Sequence, residues 1–348
     1  MLSSDVKTHA ATLGFDLCGI ARAAAYAELQ ELTAWLAKGY AGDMAWMART
    51  AERRTDVRRV LPSAQSVIVT GTLYNTDHPY STEDSEASTA TISRYAWGAD
   101  YHDVIAARLE QFLGWMKREV SEPFDARMYV DTGPVQERVF AQHAGLGWIG
   151  KNTCLINPDR GSWLFLGVLI TSLDLEPDEP GFDRCGGCQL CLNACPTGAL
   201  VEPHVLDSRR CISYLTIEKR GTLDETLLED IGSHVYGCDV CQEVCPWNSR
   251  PVVSAAPEWQ RRSAFEHRRL AELWRMSDAE LSSMIRGGPM TRAKVTGIRR
   301  NLAVAIGNAG PSVSGVLDEI DETDSSRPSM ADPGVAAAVR WARARRSA

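Results

Sequence analysis

Eight of the ten cysteines in this 348-residue chain lie between positions 185 and 245, in two runs that each end in Cys-Pro. The first reads Cys185-x2-Cys188-x2-Cys191-x3-Cys195-Pro196. This is the bacterial [4Fe–4S] run, in which three close thiolates hold three corners of one cubane and the fourth cysteine reaches the neighbouring cluster. The second, Cys238-x2-Cys241-x3-Cys245-Pro246, is one cysteine short, and Cys211 between the runs restores the count. Crossing then gives Cys185, Cys188, Cys191 and Cys245 to one cluster, and Cys238, Cys241, Cys195 and Cys211 to the other. Pro196 and Pro246 suit this layout, because proline ends a helical turn and lets the last thiolate swing across. Zinc ribbons also use paired Cys-x2-Cys, but a four-cysteine zinc site explains neither the third close cysteine nor two Cys-Pro ends. Two adjacent clusters carry single electrons, and the rest of the chain must hold the terminus where they are used.

One acid stands out as that terminus. Asp131 follows the strand-like Arg127–Val130 and precedes Gly133-Pro134 and a helix expected from Val135. An acid at the carboxyl end of a strand stands where open α/β folds place ligands, which makes it the candidate proton donor; the competing reading is that it caps the helix. Gly145, Gly147 and Gly150 form a Gly-x-Gly-x-x-Gly, but it follows a helix rather than a strand and lacks the acidic partner of a dinucleotide site. Glycine permits close approach, so this loop, with Lys151 and Asn152, is expected against a large cofactor. Cys18 and Cys154 read as buried structural thiols.

The elements that must position these groups fall into three stretches. Residues 1–173 alternate helices with apolar strands: an expected all-helical 3–60, a strand over 66–71, a surface loop over 77–91, a helix over 101–120 and a buried strand over 163–170. This indicates an α/β (α+β sandwich) domain. A linker, Leu175-Glu-Pro-Asp-Glu-Pro-Gly181, leads to a ferredoxin-like two-cluster domain over 174–250. Residues 251–348 show helical spacing suited to one or two HEAT-like pairs.

The net charge is −8, which gives no global pull toward nucleic acid, yet residues 251–300 carry ten Lys/Arg against five Asp/Glu. Arg299 and Arg300 open an amphipathic helix and are expected to face outward. Further basic groups are Arg53, Arg54, Arg58 and Arg59 near the start and Arg340, Arg343, Arg345 and Arg346 near the end, with an acidic stretch, Asp318 to Asp324, before the latter. No long apolar run and no export signal are seen, so a soluble cytoplasmic protein, monomeric and without membrane contact, is expected.

Together these motifs resemble the epoxyqueuosine reductase family, cobalamin- and iron–sulfur-dependent enzymes of tRNA modification. The likeness rests on Ser93-Arg-Tyr95, Gly98-x-Asp-Tyr-His102, Val130-Asp-Thr-Gly-Pro134, Ala144-Gly-Leu-Gly-Trp-Ile-Gly-Lys151, both cysteine runs and Arg210-Cys-Ile-Ser-Tyr-Leu-Thr216, and it spans nearly the whole chain. It implies reduction of the cyclopentane epoxide of epoxyqueuosine to the alkene in a tRNA anticodon loop. It further implies a cobalamin between the α/β domain and two [4Fe–4S] clusters, and an external low-potential electron donor. By the resemblance Asp131 is the proton donor, and Arg94, Asp131, Ser213 and Asp239 contact cobalamin. Burial is expected to raise the Asp131 pKa for that role. Corrinoid proteins with a histidine lower ligand use Asp-x-His-x-x-Gly, whereas Ile105 follows Asp100-Tyr-His102 here, so no such ligand is expected. A reductive dehalogenase and a plain electron-transfer module are the alternatives.

Overall fold

The computed structural model describes residues 2–83, 86–266, 269–319 and 324–346. Its organising element is a four-stranded sheet built from β1 (Leu17–Arg22), β2 (Ser66–Leu73), β3 (Ala126–Tyr129) and β4 (Leu164–Thr171) in the order β1-β2-β4-β3. Every neighbouring pair is antiparallel. Side chains alternate across the pleat, and here both faces are covered. Ile20, Ile68, Phe165 and Leu169 join the helices Ser3–Thr12 and Tyr101–Glu119 through Val6, Ala10, Leu109 and Phe112. Ala21, Val67, Val69, Val168 and Ile170 meet Leu29, Val139 and Phe140 on the other side. The layered architecture matches the expectation, with one strand added inside the stretch read as helical.

The expected open loop over 77–91 is tied down where it is described. Arg94 donates to the carbonyls of Thr76, His78 and Pro79. The Glu243 carboxylate accepts from Ser81 N, Ser81 Oγ and Thr82 N, and the Tyr80 hydroxyl donates to Asn248 O. The loop thus clasps the cysteine-bearing segment.

After the sheet comes a segment of short helices and hairpins that carries the cysteine runs. It shares a core with the C-terminal helices: Ile212, Leu215, Val235 and Tyr236 pack with Trp274, Ile298, Leu302, Val304 and Val339. The helix Lys294–Asn308 is buried on every side from Gly297 to Gly307. That burial overturns the outward placement of Arg299 and Arg300, which are 0% and 2% exposed. Arg299 donates to Trp274 O and Met276 O and pairs with Asp278 at 2.9 Å. Arg300 donates to the carbonyls of Leu215, Lys219 and Gly221. Both guanidinium groups satisfy main-chain carbonyls at and just beyond helix C-termini, which have no partners within their own helices. Arg54 is also buried, donating to Val135 O. Arg268 and the acidic Asp321 and Glu322 lie outside the described residues.

Candidate active site

Asp131 sits just past the end of β3 with φ +57°, a left-handed backbone that aspartate tolerates better than most residues. The helix after it begins at Glu137, two residues later than expected, and Asp131 does not cap it. Instead the Glu137 carboxylate accepts from Asp131 N at 2.8 Å. The Asp131 side chain accepts from the Tyr101 hydroxyl at 3.0 Å and faces His102 Nε2 at 3.4 Å. Asp100 begins the helix that carries both partners, accepting from His102 N and lying 2.7 Å from His102 Nδ1.

These contacts reverse the expected electrostatics of the acid. Neighbouring protein bulk pushes the Asp131 pKa upward, but the hydrogen bonds of His102 and Tyr101 and the His102 charge hold it below the ordinary carboxylate value. Desolvation is the largest single influence, but the side chain is 64% exposed and the hydrogen bonds and charges together outweigh it. The neighbour that burial does raise is Glu137, pushed up to about 8, with the Asp131 charge adding to the effect.

A cavity of about 870 Å³ opens beside Asp131. Tyr74, Tyr95, Tyr101 and Phe165 give it an aromatic wall, in which Tyr101 stacks on Phe165 with centroids 4.5 Å apart. Val135, Val139, Leu155, Leu164 and Leu166 add an aliphatic surface, and Trp35, Met44, Trp46 and Met47 reach it from the N-terminal helices. Trp46 Nε1 is buried without a hydrogen-bond partner. A space of this size, mostly apolar and with an orphan donor in its wall, fits a large macrocycle fringed with amides.

Cys154 also lines the cavity, and its thiol is close enough to that of Cys241 for each to shift the other's pKa. It therefore stands between the cavity and the cysteine segment, a position its isolation in sequence did not signal. Cys18 is half-buried against the core beside the sheet, and desolvation pushes its pKa up to about 12.

None of the ten cysteines is paired in a disulfide. Their mutual electrostatics divide the eight into two neighbourhoods. Cys191 feels Cys185 and Cys188, and Cys245 feels Cys185 and Cys191. Cys238 feels Cys211 and Cys195, while Cys241 feels Cys238 and Cys211. Among the described residues no three Cys, His, Asp or Glu side chains form a group able to hold one metal ion. Ligands to a cubane bind separate irons and stand farther apart than the ligands of a tetrahedral zinc.

Of the residues expected to touch the cofactor, only Asp131 lines the cavity; Arg94, Lys151, Asn152 and Asp239 serve as fasteners. Lys151 Nζ donates to Gly186 O and Cys188 O, and Asn152 Nδ2 donates to Cys241 O. Asp239 accepts from Ser93 Oγ and Arg94 N, both at 2.6 Å. Ser213 is half-buried on the helix Ile212–Ile217. The glycine loop packs on protein too: a Cβ at Gly147, which has φ +156°, would lie 2.1 Å from Ile156 O.

Two family models match the chain: "4Fe-4S double cluster binding domain" over residues 184–248 and "Epoxyqueuosine reductase QueG, DUF1730" over residues 54–132. An epoxyqueuosine reductase of Gloeobacter violaceus is 44% identical over 320 residues, covering 90% of this chain and 98% of that protein. The chain belongs to the epoxyqueuosine reductase family. The reductase of Xanthomonas campestris pv. campestris is 38% identical, over 91% of this chain and 89% of its own. A crystal structure of an epoxyqueuosine reductase with a tRNA-Tyr epoxyqueuosine-modified stem loop matches with TM-score 0.85 and 29% identity, covering 97% of this chain and 89% of that one. The Bacillus subtilis enzyme, in a structure whose aspartate catalytic loop is swung out of the active site, matches with TM-score 0.76 and 27% identity over 96% and 98% of the two chains. The double-cluster domain sets zinc aside, and relatives over nearly the full length set the electron-transfer module and the dehalogenase aside.

Proposed function

We propose that this chain reduces epoxyqueuosine to queuosine in the anticodon loop of tRNA. The observation that carries the reading is one cavity bordered on one side by Asp131, with its proton-bearing neighbours, and on another by Cys154, which touches Cys241. Two electrons and two protons convert the epoxide to an alkene and water. Cys185, Cys188, Cys191 and Cys245 would hold one cluster and Cys195, Cys211, Cys238 and Cys241 the other, nearer the cavity, with an external low-potential donor feeding both. Cobalamin, when bound, would supply two-electron metal chemistry, and Trp46, Met44, Met47 and the aliphatic cavity wall would hold it.

The base must leave its stack to reach such a cavity, and Tyr95 and Tyr101 offer it an aromatic surface beside Asp131. Asp131 then gives a proton to the departing oxygen. Its exposed loop and left-handed backbone suit a residue that moves between positions, in keeping with the loop of the Bacillus subtilis relative. Arg138 and Arg292 are exposed and within electrostatic reach of Asp131, and Lys294 is exposed close by in sequence. This rim receives the RNA phosphates in place of the buried Arg299 and Arg300.

The test is Asp131→Asn in the holoenzyme. The amide is nearly isosteric and keeps an acceptor for Tyr101, but it cannot deliver a proton. Iron and cobalamin contents stay at wild-type levels while turnover of an epoxyqueuosine stem loop falls by about 10² to 10⁴. Wild-type turnover sinks the donor role.

A further inference from the structure

The geometry points to a proton relay, Asp100–His102–Asp131, in which His102 holds the proton that Asp131 passes to the leaving oxygen. It rests on the donor role of Asp131 proposed above. Three observations build it. Asp100 Oδ1 lies 2.7 Å from His102 Nδ1, which fixes the ring and its tautomer. His102 Nε2 lies 3.4 Å from Asp131 Oδ2, an ion-pair contact longer than a hydrogen bond, and is otherwise buried without a partner. The imidazole occupies the first turn of the helix Tyr101–Glu119, where the helix dipole disfavours a cation, so two carboxylates must hold the charge there.

The groups around the ring are consistent with that task. Asp100 and Tyr101 face it from its own helix and Asp131 from the loop after β3. Beyond Asp131 stand Glu137 and Arg138 of the next helix, Arg292 from the C-terminal part, and the Tyr95–Tyr236 pair. Partial burial pulls the His102 pKa down, but the hydrogen bonds and charges of Asp100 and Asp131 outweigh it and raise it to about 9. At neutral pH the ring is an imidazolium beside a carboxylate. Tyr101 donates to the same Asp131 oxygen and stays a phenol.

The step balances simply. The His102 Nε2–H bond breaks as an Asp131 O–H bond forms; that proton then moves to the epoxide oxygen as its C–O bond breaks. The two electrons come from the low-potential donor through the clusters. His102 Nε2 is buried with Asp131 beside it, and it takes a fresh proton from water when the exposed Asp131 turn moves aside. The second proton of the reaction enters by the same path or directly from solvent, completing water as the product.

Single-turnover rates of the reduced holoenzyme on an epoxyqueuosine stem loop, followed against pH, test the relay. The wild-type rate holds through neutral pH and declines as pH rises through about 9. His102→Gln lowers the neutral rate by about 10² or more and gives a profile that falls about tenfold per pH unit across neutrality, since Asp131 must then draw on bulk protons. Iron content, cobalamin content and stem-loop affinity stay at wild-type levels. Asp100→Asn moves the alkaline decline to lower pH, and the His102 ¹⁵N resonances in the oxidised holoenzyme, assigned by their loss in His102→Gln, titrate lower by the same amount. A His102→Gln enzyme that keeps the wild-type profile, slowed or not, overturns the relay, as does an unmoved decline in Asp100→Asn. Asp131→Asn separates the two readings: if it is inactive while His102→Gln is normal, only the relay fails, and if it is fully active, the donor role fails as well.

Discussion

Replacing Arg300 by Met measures what the buried arginines do. The side chain is 2% exposed, and methionine keeps most of its aliphatic stem while removing the guanidinium. The carbonyls of Leu215, Lys219 and Gly221 then lose their donor, at about 1–3 kcal/mol for each buried acceptor left unmatched. A counterweight comes from the charge itself. Burial lowers the Arg300 pKa to about 10, which at about 1.36 kcal/mol per pH unit corresponds to roughly 3 kcal/mol of relief when the charge goes. The balance is a net destabilisation on the order of 3 kcal/mol. Urea unfolding of the holoprotein reads it as a lower midpoint at unchanged slope. Because Leu215 sits one turn from Cys211, iron and absorbance from the cluster proposed for Cys195, Cys211, Cys238 and Cys241 fall first. A variant that unfolds at the wild-type midpoint and binds RNA with a flatter salt dependence refutes the reasoning and returns Arg300 to the surface.

Other outcomes follow from the same structure. Cys195→Ala damages the cluster held with Cys238 and Cys241, and Cys245→Ala damages that of Cys185, Cys188 and Cys191; iron counts with electron paramagnetic resonance check this, and loss of one and the same cluster in both contradicts the crossing. Arg292→Gln with Lys294→Gln weakens stem-loop binding and flattens the dependence of log affinity on log salt by about 0.7 to 0.9 for each phosphate no longer neutralised, with cofactor content unchanged; an unaltered slope moves the RNA elsewhere. Glu137 has a folded pKa raised to about 8, so the stability it contributes below its unfolded value is lost as pH rises through about 8. Glu137→Gln keeps the acceptor for Asp131 N and removes that loss. Thermal unfolding therefore shows the variant gaining on wild type progressively as pH rises from 4.5 to about 8, most in mildly alkaline buffer, and matching it only below the unfolded value of 4.5.

Which features could be read in the sequence depended on how local their causes are. Cysteine spacing is set by cluster geometry within a few residues, so both runs were legible, and so was the placement of Asp131 just past a strand end. The strand Leu17–Arg22 was not: Leu-Cys-Gly-Ile-Ala-Arg is short and rich in small residues, and only pairing with β2 decides its state. Arg299 and Arg300 sit on a helix whose pattern suggests one wet face, but helix ends from two other segments bring carbonyls to that face. Lys151 and Asn152 looked like cofactor ligands because the loop is glycine-rich, yet their partners are carbonyls near Cys188 and Cys241, far away in sequence. Along the chain His102 invites comparison only with a cobalt ligand, since nothing local places Asp131 beside it. Cys154 carried no signal at all, standing alone in sequence between β3 and β4.

The seating of the cysteine segment has a kinetic meaning. Arg94, Asp239, Glu243 and the Asn248–Ser162 pair lock it to the sheet domain through short hydrogen bonds from several directions. Electron tunnelling weakens exponentially with the gap to be crossed, so a junction clamped in this way passes charge at a nearly constant rate whether or not RNA is present. Nothing in such a joint can act as a valve. Timing must then come from the opposite bank of the cavity, where Asp131 rides an exposed turn, and the arrival of the base rather than the closing of a hinge decides when stored electrons are spent.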